Sequence, residues 1–263
     1  MTKKNMEIFN QIKSKYLLDN LKNDYFLNKI FNNLQKKKSL EIIKYNNKTK
    51  KRLNITVNNY KDYNETYSSI ELEILPSNKE YGQFIRIEDE EEKYFHIYFN
   101  DNRKEIKRCY VKERDNVQKI NIIIDYQITS FEKLFYCCDC IESIKFKKFY
   151  RNNINNMRWM FYGCRLLQKI NLFSFNTKSV IDMSGMFYEC ISLKEIDLSN
   201  FNINNVQDMG EMFSNCSSLK EINLSNFNIN NITYVGGMFH LCSNEIKKRI
   251  KSQIKDIKEI AFE

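Results

Sequence analysis

Proline is all but absent from this chain, one residue in 263, and glycine is scarce at six. So few glycines leave no phosphate-cradling loop: neither GxGxxG nor GxxxxGK followed by Ser or Thr occurs. The two histidines, His96 and His240, each stand alone, and there is no HExxH, no nucleophile elbow and no kinase signature. These absences exclude the common motif-bearing enzyme classes, so no catalytic residue, cofactor or metal is expected. Nor is there a run of ~18 apolar residues able to span a bilayer. The opening MTKKNMEIFNQ lacks the apolar stretch of ~7–15 residues that a signal peptide needs. A cytoplasmic location is the expectation, with the cell surface as the alternative.

Apolar residues make up 42% and aromatics 14% of the chain, with 19 Phe and 16 Tyr, enough for a sizeable core. Lys, Asn, Ile, Phe and Tyr are in excess together, as an AT-rich coding sequence would give. Asn-rich and Lys-rich stretches are therefore not weighed as functional signals. The net charge of +9 is unevenly spread. Residues 1–53 hold 14 Lys and Arg against 4 Asp and Glu, and the rest is close to neutral. A basic segment can attract nucleic acid or anionic lipid. No aromatic-interleaved nucleic-acid motif accompanies it, and nucleic acid is not the expected partner.

The strongest pattern is periodic. Cys138, Cys164, Cys190, Cys216 and Cys242 are 26 residues apart, and Phe135, Phe161, Phe187, Phe213 and Phe239 keep the same step. So do Leu134, Met160, Met186, Met212 and Met238, and so do Ile144, Ile170, Ile196 and Ile222. Five copies in one register read as a stack in which no copy buries its apolar face alone. One limb of the unit, as in Leu193-x-x-Ile196-x-Leu198, has the spacing of a short strand with one face inward. In the other limb Met183, Met186, Phe187 and Cys190 fall at i, i+3, i+4 and i+7, which predicts one or two helical turns. Asp182 and Asp208 precede those turns, where an N-cap belongs.

These residues resemble the BspA-type leucine-rich repeat, with its M-F-x-x-C-x-S-L-K-x-I-x-L-S-x-F-N signature. Residues 186–202 and 212–228 match it nearly residue for residue. Residues 160–176 match with Leu167 in the Leu position, and 134–150 more loosely, with Phe146 at the strand Leu. Members of that family are known as cell-surface adhesion proteins. The fold class expected is α+β: a leucine-rich-repeat solenoid of about five 26-residue strand–helix repeats. An N-terminal helical segment, a small antiparallel β region and a C-terminal capping helix complete it.

The expected boundaries are a basic helical segment over 1–53, the β region over 54–125, the repeats over 126–242 and the capping helix over 243–263. Ile70, Leu72 and Ile74 alternate with Glu71 and Glu73, and Pro76 ends that strand. YFHIYF alternates too, and Asn100-Asp101-Asn102 makes a turn before the next strand. Ile246, Ile250, Ile254, Ile257 and Ile260 share one helical face. The stretch from Leu27 to Leu34, L-x-x-I-F-x-x-L, is similar to the F-box pattern. That similarity implies a substrate adaptor of a cullin ubiquitin ligase, with Leu27, Ile30, Phe31 and Leu34 on the ligase scaffold.

The spine cysteines are expected to behave as small buried hydrophobes. A functional surface is sought instead on the exposed face of the strand limbs. Lys145, Asn171, Asp197 and Asn223 form one column, and Ser143, Lys169, Glu195 and Glu221 another. Just after the strands come Lys147, Phe173, Ser199 and Ser225, where Phe173 is the one aromatic out of place. The sites expected to meet a partner are Lys145, Lys147, Asn171, Phe173, Glu195, Asp197, Glu221 and Asn223. The expected function is a monomeric, non-enzymatic protein-interaction module. The ligase adaptor and the cell-surface adhesin are the alternatives.

Overall fold

The computed structural model describes residues 24–32, 39–40, 43, 46–229, 232–254 and 257–263. The chain divides into two compact units, Met1–Glu65 and Thr66–Glu263.

In the first unit, α1 (Asp24–Asn32) and α2 (Asn47–Arg52) pack around Leu27, Phe31, Leu40 and Ile43. Asn46 caps α2 by accepting from Thr49 N–H at 2.9 Å, the usual satisfaction of an orphan first-turn donor. A 2.7 Å ion pair between Arg52 and Asp24 ties the two helices. Helix α3 (Val57–Tyr67) follows.

The second unit is built on sheet. Its strands are β1 (Ile70–Pro76), β2 (Gly82–Gln83), β3 (Phe95–Phe99), β4 (Glu105–Ile106), β5 (Tyr110–Val111), β6 (Ile120–Ile124) and β7 (Ile141–Lys148), then the short β8 (Lys169–Asn171), β9 (Glu195–Asp197) and β10 (Glu221–Asn223). A six-stranded mixed sheet runs β4-β3-β6-β1-β7-β8. Only its last pairing, β7 with β8, is parallel. Period-2 alternation decides its faces. Ile70, Leu72, Ile74, Phe95, Ile97, Ile120, Ile122 and Ile124 are buried, while Glu71, Glu73 and Asn121 point the other way. Asn100 and Asp101 both have positive φ (51° and 58°), as a tight β3–β4 hairpin turn requires. The first repeat strand, β7, is thus an integral member of this sheet, paired directly with β1.

The fold class expected from the sequence is corrected here. The unit is mostly sheet, the four α-helices of the described residues lie outside the repeats, and the copies do not form a strand–helix solenoid. The limb read as helical is a tight turn of another kind. Lys133, Trp159, Gly185, Glu211 and Gly237 all have positive φ, and so do Cys137, Gly163, Glu189, Asn215 and Leu241. Two left-handed residues per copy, four apart, prevent any α-helix from propagating. They also aim alternate N–H groups at the next copy. Phe135 N–H donates to Met160 O, Phe161 to Met186, Phe187 to Met212 and Phe213 to Met238, each at 2.8 Å. Four such bonds close every junction between copies. They offset the left-handed residues, each of which costs roughly 1–2 kcal/mol when it is not glycine.

Inside, Phe135, Phe161, Phe187, Phe213 and Phe239 stack in a column at 5.3–5.6 Å, their planes nearly parallel. The strand limbs are less continuous than the turns. β8 ends the six-stranded sheet, and β9 and β10 form a separate parallel pair.

Both ends of the stack are closed. Helix α4 (Asn244–Gln253), capped by Ser243, buries Ile246 and Ile250 and stops ten residues short of the chain end. Beyond it, Ile260 O and Ala261 O accept from Gly237 and Phe239, and Phe262 stacks on Phe239 at 5.9 Å. The Gln253 side chain accepts from Leu224 N–H and donates to Ile222 O, both at 2.9 Å, as a further strand would. At the other end, fully buried Arg151 donates to Asp125 O (2.9 Å) and Ile128 O (3.0 Å). Loss of water around its guanidinium pulls its pKa down to about 10.

Candidate functional site

The strand-limb surface is assembled as the residue columns require. Lys145 lies opposite Asn171, and Asp197 opposite Asn223. Ser143 pairs with Lys169, and Glu195 with Glu221. Lys145, Lys147, Asn171, Phe173, Glu195, Asp197, Glu221 and Asn223 are all exposed. Three of them are engaged in local turns. The side-chain oxygens of Asn171, Asp197 and Asn223 accept the N–H two residues on, from Phe173 (3.1 Å), Ser199 (2.9 Å) and Ser225 (3.2 Å). These are Asx turns, which reverse the chain at the strand exit. Lys147 is engaged as well, with its ammonium 2.7 Å from Glu73 and 3.2 Å from the Asn121 side chain. Glu195, Asp197 and Glu221 line an open cleft of about 720 Å³ with Arg249 and Gln253 of α4.

Phe173 is the outstanding residue of this surface, with its side chain 88% exposed. Its backbone is held on both sides. Asn171 accepts its N–H, and the Asn200 amide of the next copy donates to its carbonyl at 3.0 Å. Phe173 also sits where the strand limbs part. Gln168 N–H donates to Glu142 O, and Lys220 N–H to Lys194 O. Among the described residues no equivalent bond joins copies two and three, and Ile170 there is only partly buried.

A second surface lies on the outside of the turn limbs. Tyr136, Tyr162 and Tyr188, one per copy, stack face to face at 4.7 Å. Trp159 lies 6.5 Å from both Tyr136 and Tyr162. Its ring settles over Gly185, where any Cβ would meet Trp159 Cδ1 at 2.4 Å. Tyr136, Tyr162 and Tyr188 keep the 26-residue step, but Ser214 and His240 fill the same slot in the later copies, so the step alone gives a variable position. Its threefold Tyr was the available sign, whereas the arrival of Arg86 on Tyr136, fifty positions away, was not readable.

The spine cysteines are buried as expected, apart from any redox role. Cys164, Cys190, Cys216 and Cys242 each donate S–H to the Phe carbonyl 29 positions earlier, at 3.0–3.2 Å. Burial pushes all four thiols well up, Cys242 to about 11. Among the F-box-like positions, Leu27 and Phe31 are buried in the core of their own unit, and Ile30 packs against it. Leu34 lies outside the described residues.

With the repeat register in place, one comparison decides what the repeat region resembles. Residues 129–253 match the family described as "Mycoplasma protein of unknown function, DUF285". The matched span covers all five copies and the whole of α4. No curated protein and no solved structure matches the chain. Among the described residues no helix is long and apolar enough to cross a membrane.

Proposed function

We propose that this chain is a non-enzymatic protein-interaction module that engages a protein partner through the exposed strand-limb face of its repeats. The observation that carries this is Phe173. A fully presented aromatic ring on a backbone pinned by Asn171 and Asn200 has little conformational entropy left to lose on docking. Buried aromatic anchors of this kind dominate interface energetics. The equivalent positions in the following copies are Ser199 and Ser225, so the stack has no structural need for an aromatic there. The BspA-type resemblance of the same copies supports an extended repeat surface with varied exposed residues. It also keeps cell-surface adhesion as a second reading.

The experiment is a capture from the source cell with wild type and Phe173→Ser, read by mass spectrometry. The partner set bound by wild type is expected to shrink with Phe173→Ser while the melting temperature stays unchanged. An identical set from both proteins would end this reading.

A further inference from the structure

We propose that the outer face of the turn limbs across copies one to three is a docking surface for an acidic polypeptide segment. It is a different surface from that of Phe173, and it stands on its own observations. Three things converge there.

The first is the cations. The Arg158 guanidinium lies over the Trp159 ring at 4.0 Å, and the Lys133 ammonium over the same ring at 5.0 Å. Arg86 covers Tyr136 at 5.1 Å and donates through Nε to Tyr136 O at 2.8 Å. Among the described residues neither Arg86 nor Arg158 has a carboxylate partner, and Arg158 Nε is buried with no acceptor. The neighbouring acids are engaged: Glu189 with Arg165 at 2.9 Å, Glu132 with the Asn156 amide at 3.0 Å and the Lys133 ammonium at 3.9 Å, and Asp139 with the Arg165 N–H at 3.4 Å. A guanidinium flattened on an aromatic ring keeps its in-plane donors free for a carboxylate.

The second is the tyrosines. Stacked face to face, Tyr136, Tyr162 and Tyr188 present ring edges and hydroxyls outward. Ring edges carry the positive part of the aromatic quadrupole. The three hydroxyls bond to no group among the described residues. Edges and O–H donors both suit carboxylate oxygens.

The third observation argues against nucleic acid. Single-stranded nucleic acid needs free ring faces on which bases stack. The Tyr faces are spent on one another at 4.7 Å, and Trp159 is already covered by Arg158 and Lys133. Protein side chains supply what is left: carboxylates for the guanidiniums, the ring edges and the hydroxyls.

Trp159 is the single tryptophan of the chain, so its fluorescence reports this face alone. The full chain is titrated at low salt with a tryptophan-free peptide of alternating Glu and Gly. A saturable change in Trp159 emission is expected, weakening as salt rises. Arg86→Gln and Arg158→Gln should each weaken it roughly threefold or more, the scale of one exposed charge pair. Neutralising Lys50, Lys51 and Arg52, in the basic first unit, should leave it unchanged, as should Phe173→Ser. Circular dichroism of each variant confirms that it is folded. No emission change with the Glu–Gly peptide, or a change indifferent to both arginine variants, overturns the proposal. Tighter binding of oligo-dT through the same two arginines also overturns it, in favour of nucleic acid.

Discussion

The Cys190 sulfhydryl donates to the Phe161 carbonyl at 3.2 Å, reaching back one whole copy and three residues. The same bond recurs from Cys164, Cys216 and Cys242. Cysteine is therefore used here both as a filler and as the one small apolar side chain that can still donate. Thiol labelling checks this. Native protein is expected to react at exposed Cys137 and to spare Cys164, Cys190 and Cys216 until denaturant is added. Cys190→Ala is expected to destabilise by about 1–3 kcal/mol in chemical denaturation, through a small cavity and an unanswered carbonyl.

Two glycines separate backbone strain from ring displacement. Gly185 has φ +56°, and a Cβ there would strike Trp159, whereas Gly210 lacks positive φ and a Cβ there would meet the Tyr234 ring at 2.4 Å and the Asp208 carboxylate at 3.2 Å. Gly185→Ala should cost about 1–2 kcal/mol for the left-handed backbone alone, and should shift Trp159 emission as the indole is lifted. Gly210→Ala should leave Trp159 emission unchanged. A shift of equal size in both would mean that the two rings are coupled.

Gln253 stands in for a missing strand, with two 2.9 Å bonds to the open edge of β10. Gln253→Ala removes both. Thermal unfolding should report a loss of about 1–2 kcal/mol, that of two net hydrogen bonds. Exposed strand edges recruit other chains, so sedimentation is expected to detect concentration-dependent association absent from wild type. A monomeric, equally stable variant would mean that α4 alone protects the edge.

Asp115 gives the pH test. The Arg108 guanidinium, at 2.6 Å, holds the Asp115 carboxyl below its ordinary range, aided by the Lys112 N–H. A depressed folded-state carboxylate stabilises the protein above its unfolded pKa of about 3.9, and that stability is lost as pH falls through the folded value. The melting temperature of wild type should exceed that of Asp115→Asn near neutral pH. The gap should narrow as pH falls below about 4 and close at still lower pH. A gap that does not change with pH would show that the pair contributes only geometry.

Much of this was legible in the 26-residue step. The step named the inward residues from Phe135 through Cys242, with half-buried Ile170 the exception, because burial depends only on which side chains face the stack. It also singled out Phe173 as the break in a column. The backbone of the turn limb was misread for a physical reason. Apolar residues at i, i+3, i+4 and i+7 face one way on a helix. They do so equally on a turn with left-handed residues at positions such as Glu211 and Asn215, and side-chain pattern says nothing about where N–H groups point. Asparagine was discounted as compositional bias. Yet Asn200 donates to Leu172 O and Phe173 O at 3.0 Å, and Asn205 to Lys178 O at 2.7 Å, binding one copy to the last. Lys133 lies one 26-residue step before Trp159 and Arg158 is its chain neighbour, so that part of the cluster was within reach of the pattern; Arg86, which covers Tyr136 from outside the repeats, was not.

The closing of each junction by main-chain bonds has a consequence for heredity. The four N–H···O contacts between copies are indifferent to side-chain identity, and each copy offers the next the same acceptors. Loss or duplication of 26 codons in frame would leave two surfaces that still mesh, provided α4 and its Gln253 remain at the end. Length is thus a quantity this gene can alter in single steps, while the outward residues can differ from copy to copy, as Phe173, Ser199 and Ser225 do. The sequence between Ser130 and Leu241 reads as a ruler whose graduations are fixed and whose markings are not.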